Sequence, residues 1–250
     1  MDFVNTSEKD GIVTLSLNRG KVNPLNGGVV EEILSCLNAL EGDSAVKAVI
    51  LTGQGKFFSF GFDVPELLTY SREAFSDFLT KFTNLYSYMF LYPKPIIAAL
   101  NGHTIAGGCM LALACDRRIM ISGKSKISLN EVDLGVPVFT GITEILRFCV
   151  GSRNATEILY SGTLYSPEQA YSLGLVDEVV STDDLTGEAN KAASDLANKP
   201  WPAFNGIKSL LRKPILQDIE QREKASIMKF VDIWYSDSTR EILKNVKIKS

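Results

Sequence analysis

Short apolar runs separated by polar turns recur through the first half of the chain. The segment 11–18 alternates apolar and polar residues, which is typical of a strand with one buried face. The continuous apolar runs at 46–52 and 95–100 are typical of strands that are buried on both faces. The predicted strands are 11–18, 46–52, 95–100, 116–122 and 127–129.

Between and after these runs, apolar residues repeat at the spacing of three and four residues that is typical of helices. The predicted helices are 28–40, 71–91, 107–115, 143–150, 155–161, 167–173, 185–197 and a helical stretch from 201 onward. Strands and helices alternate early, whereas the C-terminal part is mostly helical, so the pattern predicts an α/β fold with a helical C-terminal region. The apolar segment 230–235 near the end fits packing on the core or on a neighbouring subunit, and both remain open.

The predicted helix 107–115 has no polar face, so it should lie inside the protein. It opens on Gly107 and Gly108, directly after the buried strand 95–100 and a tight turn. The first N–H groups of a helix lack partners and meet the positive end of its dipole, so they can hold a phosphate or a developing oxyanion. A glycine pair also lets a helix pack tightly against a strand, and the sequence alone leaves both interpretations open.

Composition narrows the function classes only a little. The 250 residues carry 26 basic and 29 acidic side chains, a net charge of −3, which gives no basic footprint for nucleic acid. No apolar run is long enough to cross a membrane, and the polar N-terminus does not resemble a signal peptide. The four cysteines lack the paired spacing of metal ligands, so we predict free thiols, no metal site and a cytoplasmic location. With His103 as the single histidine, a histidine-based triad or cluster is not expected.

Three local features have the chemistry of one site. They are the glycine- and phenylalanine-rich loop 55–63, the glycine pair at 107–108, and Glu131 after a short strand. Two backbone N–H groups and one carboxylate in an apolar setting suffice to remove a proton next to a carbonyl, because the donors stabilise the enolate oxygen. Each feature also has a plain structural interpretation, a hydrophobic plug for the loop and a solvated side chain for Glu131.

Five segments, in this order, carry a resemblance that extends through most of the chain: 17–26, 55–63, 95–116, 129–135 and 166–177. In these segments the chain resembles the crotonase, or enoyl-CoA hydratase/isomerase, superfamily. The resemblance implies a superhelix of β-β-α units followed by trimerising helices, with a core domain at 1–195 and a helical region at 196–250. It also implies an acyl-CoA thioester as the small-molecule substrate, coenzyme A as part of that substrate rather than a separate cofactor, and a homotrimer or dimer of trimers.

The resemblance implies roles for particular residues. The oxyanion donors of the family correspond to the backbone N–H groups of Phe62 and Gly107, and the catalytic carboxylate corresponds to Glu131. Of the lysines that are candidates for the phosphates of coenzyme A, which include Lys21, Lys244, Lys247 and Lys249, Lys56 is the favoured one. The implied substrate-binding residues are Phe60, Gly61, Phe62, Asp63, Gly107, Lys56 and Met110.

The hydratases of this superfamily use two glutamates, and one of the two positions here holds Met110. A thioether has no exchangeable proton and cannot activate water, so the sequence favours the Δ3,Δ2-enoyl-CoA isomerase branch, with Glu131 as the single base. Such a base needs an apolar wall, for which Met110, Leu111 and Phe139 are the candidates. The alternatives are hydration or thioester hydrolysis with a second group from Glu144 or Asp133, and a catalytically silent acyl-CoA-binding subunit.

Overall fold

From the third strand onward, strands that follow one another in the chain alternate between two sheets. The computed structural model describes residues 2–246. The larger sheet has the order β1 (Val4–Lys9), β2 (Ile12–Leu17), β3 (Ala48–Gly53), β5 (Ile96–Leu100), β7 (Arg117–Ile121) and β9 (Glu178–Val180). The smaller sheet has the order β4 (Phe57–Ser59), β6 (His103–Ile105) and β8 (Ile127–Ser128). Every pairing is parallel except that of β1 with β2.

A repeated β-β-α unit explains this arrangement. Strands β3 and β4 precede helix α3 (Arg72–Phe90), and strands β5 and β6 precede helix α4 (Gly107–Ala114). Each unit gives its first strand to the larger sheet and its second strand to the smaller one. Because the strands pair in parallel, successive units stack as turns of a superhelix, which confirms the predicted α/β fold class.

Helices make up most of the chain after β8, as predicted. Helix α4 is buried at every position, which confirms the helix without a polar face. The other helices are α1 (Gly27–Glu41), α2 (Val64–Leu67), α5 (Thr140–Ser161), α6 (Pro167–Leu173), α7 (Leu185–Ala197), α8 (Trp201–Trp234) and α9 (Asp237–Leu243), with a 3-10 turn at Glu131–Leu134. The division of the chain at residue 195 and the trimerising role of the last helices stay predictions.

The N-terminal hairpin is an element that the apolar pattern does not predict. Strand β1 buries only Val4, so its sequence lacks the alternation of a half-buried strand. It pairs with β2 through the two-residue turn Asp10-Gly11, in which both residues have a positive φ, of 56° and 77°. An Asp-Gly pair in this conformation is typical of a tight hairpin turn, and it was the signal available in the sequence.

Three further differences concern short or broken elements. Strands β4 and β6 lie where the pattern predicts only loop and turn, and the three-residue strand β9 was not predicted. The two predicted helices 143–150 and 155–161 are the halves of α5, which is interrupted at Gly151 with a φ of 76°. A strand of three residues is too short to show a period, so pairing partners decide its conformation.

Helix α8 is held on the core by a buried charge cluster. The carboxylate of Asp116, which follows α4, lies 2.8 Å from Lys208 Nζ and 3.1 Å from Arg212 Nη1. Asp116 also accepts a hydrogen bond from the backbone N–H of Ile96. Because a buried charge is tolerated only when it is paired, this cluster fixes α8 relative to α4 and β5.

Candidate active site

The first turn of α4 presents a backbone N–H group without an acceptor. Gly107 and Gly108 are both buried, and a Cβ on Gly108 would lie 2.7 Å from the carbonyl oxygen of Ser59. The preceding Ala106 has a φ of 49°, and its N–H donates to the carbonyl of Ser128 at 2.8 Å. Within residues 2–246, the N–H of Gly107 has no hydrogen-bond acceptor, as expected at the start of a helix.

The loop after β4 lies directly against this helix start. Gly61 has a φ of 88°, and a Cβ at this position would lie 3.0 Å from the backbone nitrogen of Gly107. Leu25 donates to the carbonyl of Gly61 and accepts from the N–H of Asp63, both within 2.9 Å. These two hydrogen bonds form a parallel β-bridge between Leu25 and Phe62. In this bridge the N–H of Phe62 points away from Leu25 and has no acceptor in the described part of the chain. The structure therefore places two donor groups, on Phe62 and Gly107, in contacting segments.

Glu131 is a carboxylate buried without a polar partner. It begins the 3-10 turn three residues after Ser128, the residue whose carbonyl binds Ala106. The residue is 4% exposed, and neither carboxylate oxygen has a hydrogen-bond partner in the described structure. Burial raises the pKa of this carboxyl to about 8, because removal from water disfavours the charged form. A side chain that titrates near neutral pH inside a cavity is typical of a general base.

These groups meet at a cavity of about 260 Å³. Both Phe62 and Glu131 line it, and Ala106 brings in the start of α4. Glu131 is the only carboxylate among the described residues of the wall, and the wall is otherwise almost entirely apolar. Its lining residues are Phe60, Phe62, Val64, Ile105, Ala106, Met110, Asn130, Glu131, Leu134, Val136, Phe230, Trp234 and Val246.

The residues predicted to bind the substrate lie partly on the cavity wall and partly outside it, and their contacts with a substrate stay predictions. Met110 and Phe60 line the cavity, but Lys56 is exposed on the surface and does not. Asp63 caps α2 through the N–H of Glu66 and pairs with Arg19 at 2.6 Å, so its side chain stabilises the loop. Lys21 and Lys244 are exposed as well, whereas Lys247 and Lys249 lie outside the described residues.

The apolar wall differs in part from the expectation. Met110 belongs to it, but Leu111 and Phe139 lie in the core behind it rather than on the cavity. The missing part comes from α8, whose Phe230 and Trp234 are 1% and 2% exposed. The segment 230–235 therefore packs on the core of its own chain, which was one of the two alternatives that the sequence left open. No local signal links these residues to Glu131, because about a hundred residues of sequence separate them.

The two carboxylates considered as partners of Glu131 do not line the cavity. Glu144 lies 2.9 Å from Arg222 and 3.5 Å from Arg147, so it is held in an ion-pair network on α5 and α8. Asp133 is exposed beside Gly162. Asn130 is a wall residue that sequence reasoning missed, and its Oδ1 is buried without a partner.

None of the helices within residues 2–246 has the length and apolar character needed to cross a membrane.

Known proteins share this architecture over nearly the whole chain. The profile of the Enoyl-CoA hydratase/isomerase family matches residues 7–247. The chain is 31% identical to the rat protein "Enoyl-CoA delta isomerase 1, mitochondrial" over 96% of this chain and 84% of that protein. It is 30% identical to the Bacillus subtilis "Probable enoyl-CoA hydratase" over 96% of this chain and 94% of that protein.

A solved structure of the human mitochondrial delta3-delta2-enoyl-CoA isomerase superimposes with a TM-score of 0.93 at 27% identity, covering 96% of this chain and 95% of that one. Relatives at about 30% identity are thus named both as isomerases and as hydratases. The shared profile, the extent of the matches and the common superhelix agree on one assignment. The chain is a member of the enoyl-CoA hydratase/isomerase family.

Proposed function

We propose that this protein is a Δ3,Δ2-enoyl-CoA isomerase that uses Glu131 as its single acid-base group. The observation that carries the proposal is that Glu131 is the only carboxylate lining the cavity within residues 2–246. Addition of water to a double bond needs a group that activates the water and a group that delivers a proton. A 1,3-proton shift needs only one group, because the proton that leaves C2 returns at C4.

In the proposed reaction, the thioester oxygen of a 3-enoyl-CoA accepts hydrogen bonds from the N–H groups of Phe62 and Gly107. The carboxylate of Glu131 removes a proton from C2, and the electron pair moves onto the thioester oxygen to give a dienolate. The two donors and the positive end of the α4 dipole stabilise this charge. The protonated Glu131 then delivers the same proton to C4, and the double bond forms between C2 and C3.

The apolar surroundings of Glu131 support both half-steps. A carboxyl group with a pKa of about 8 binds a proton strongly enough to take it from a carbon acid and hold it. Met110 and Phe230 on the wall exclude water, which would otherwise compete with the carboxyl for the dienolate. The reaction uses no separate cofactor, because coenzyme A belongs to the substrate.

The assay uses two substrates that separate the branches of the family. Incubation with 3-hexenoyl-CoA should produce the ultraviolet absorbance of a conjugated enoyl thioester. Crotonyl-CoA, which is already conjugated, should remain without loss of absorbance, because hydration is not catalysed. Hydration of crotonyl-CoA without turnover of 3-hexenoyl-CoA would overturn the isomerase proposal, and no turnover of either would favour an acyl-CoA-binding subunit.

We also propose that the chain assembles as a homotrimer or a dimer of trimers. Helix α8 carries large apolar side chains that are exposed in a single copy, among them Ile207, Leu210 and Leu211. Such a patch is typical of an interface, and light scattering on the purified protein gives the mass that decides it. No disulfide links the cysteines of the described residues, which supports the cytoplasm, a reducing compartment, as the proposed location.

A further inference from the structure

The cavity has an open end and a closed end. Among its lining residues, Phe60, Phe62, Asn130, Leu134 and Val246 are partly exposed, which places the opening on their side. Phe230 and Trp234 of α8 are almost fully buried and stack on rings of the core, so we assign them to the closed end. An acyl-CoA that binds with its thioester near the N–H groups of Phe62 and Gly107 would therefore point the tail of its acyl group at these two rings.

The closed end is rigid because both rings belong to an aromatic stack. Phe230 stacks on Phe139 with ring centres 4.7 Å apart and an interplanar angle of 20°. Trp234 stacks on Phe75 with ring centres 4.5 Å apart and an angle of 28°. Neither ring can swing aside without breaking these contacts, since the surrounding core is packed. The closed end, which we call the floor of the cavity, is thus a fixed barrier rather than a flexible lid.

The volume of the cavity sets the size of the group that fits. At about 260 Å³, it lies below the range of roughly 300–1,000 Å³ that is usual for ligand pockets. Because an apolar cavity of about 150 Å³ accommodates the six carbons of benzene, a cavity of this size holds roughly nine or ten non-hydrogen atoms. An acyl group of about eight carbons, counted with its carbonyl oxygen, fills that space.

We propose that Phe230 and Trp234 limit the substrate to short- and medium-chain acyl groups of up to about eight carbons. The proposal rests on the proposed function for the identity of the ligand as an acyl-CoA, and it adds which chain lengths the site accepts. Each methylene that enters the apolar cavity should raise the affinity about fourfold. Methylenes beyond the floor have no space, so the affinity should fall instead of rising further.

The first test measures binding of unreactive, saturated acyl-CoAs by calorimetry. The dissociation constant should decrease from butanoyl- through hexanoyl- to octanoyl-CoA, and dodecanoyl-CoA should bind at least about tenfold more weakly than octanoyl-CoA. An affinity that continues to rise through dodecanoyl- and hexadecanoyl-CoA would overturn the proposal. Equal affinity for all chain lengths would also overturn it, because the acyl group would then lie outside the cavity.

The second test moves the floor. Trp234→Leu shortens the side chain at the closed end, and the preferred length should increase by two to four carbons, with dodecanoyl-CoA gaining about tenfold in affinity. Trp201→Leu is the matched control, because Trp201 lies on the same helix but is exposed, and its length profile should not change. If Trp234→Leu does not fold, Phe230→Leu tests the same floor. An unchanged length profile in a folded floor variant would contradict the assignment.

The binding series keeps this inference separate from the proposed reaction. If 3-hexenoyl-CoA is not isomerised but octanoyl-CoA binds best and Trp234→Leu shifts the profile, the reaction is wrong and the length limit holds. If 3-hexenoyl-CoA is isomerised and long chains bind as well as short ones, the reaction holds and the length limit is wrong.

Discussion

The two walls of the cavity differ in chemistry and in origin. The groups proposed to be catalytic, Phe62 and Glu131 on the wall and Gly107 directly behind Ala106, are called the catalytic wall, and they are polar groups that lack partners within the described structure. The closing wall, defined as Phe230 and Trp234, consists of aromatic rings that are stacked into the core. The β-β-α units supply the first wall and helix α8 supplies the second. In this arrangement, changes in the proposed acyl pocket need not disturb the groups that are proposed to move the proton.

The largest expected effect comes from the carboxylate of the catalytic wall. Glu131→Gln keeps the shape of the side chain but removes the base, so kcat for 3-hexenoyl-CoA should fall roughly 10³- to 10⁴-fold. The closing wall is intact in this variant, and octanoyl-CoA should bind within about threefold of the unchanged protein. Stopped assays of isomerisation and calorimetry measure the two quantities on the same preparation.

Glu144→Gln is the matched control for that variant. Glu144 lies in an ion-pair network with Arg222 and Arg147, away from the cavity, so its neutralisation should leave kcat unchanged. A variant Glu131→Gln that keeps its activity would show that the base is a different residue. Equal losses in both variants would instead point to a reaction that uses two carboxylates.

The second effect concerns the donor at the start of α4. Gly107→Pro removes the N–H, and proline is tolerated at the first position of a helix. Loss of one oxyanion donor should lower kcat about 10²- to 10³-fold. Gly107→Ala keeps the N–H and adds the same Cβ contact, 3.1 Å from the ring of Phe62, so it should lose less than about tenfold. Equal losses in the two variants, or a large drop in melting temperature in Gly107→Pro alone, would remove the evidence for the donor role.

The catalytic wall is predictable from sequence because each of its parts is local. The glycine pair at 107–108 shows a helix start, and the loop 55–63 shows a turn with free N–H groups. Glu131 stands out because it follows a short strand inside a recognisable motif. The sequence does not show that these parts lie next to one another in space. Their proximity depends on the hydrogen bond from Ala106 to Ser128 and on the close approach of Gly61 to Gly107.

The closing wall was not predictable because it depends on long-range packing. Helix α8 reads as a helix, but the face that turns toward the cavity is set by Asp116, Lys208 and Arg212. Lysine and arginine in a helix usually indicate a solvated face, whereas here both are buried and paired. The burial of Lys208 and Arg212 can be predicted only when the carboxylate of Asp116 is known to lie opposite them.

The smallest expected effect is a change of kcat/KM with pH. It distinguishes the two walls, because only the catalytic wall contains a group that titrates in this range. Because the pKa of Glu131 is raised to about 8, the base form is scarce below that pH. In the free enzyme kcat/KM should therefore fall about tenfold for each pH unit from 8 down to 6. Binding of octanoyl-CoA depends on the uncharged closing wall, so its dissociation constant should change little over that range. A flat profile of kcat/KM would show that Glu131 is ionised at lower pH than its burial implies.

The same raised pKa has a consequence for stability, and its sign is fixed by linkage. Between its ordinary value near 4.5 and about 8, Glu131 holds a proton in the folded chain that it loses on unfolding. The free energy of unfolding should therefore decrease as pH rises through this window, by about 1.4 kcal/mol per unit from this group. The glutamine in Glu131→Gln cannot titrate. The difference in the free energy of unfolding between the unchanged protein and this variant therefore gives the contribution of Glu131 alone, because all other groups are the same in both. Urea denaturation of both proteins from pH 5 to pH 8 measures it, and parallel curves would show that Glu131 is charged inside the folded protein.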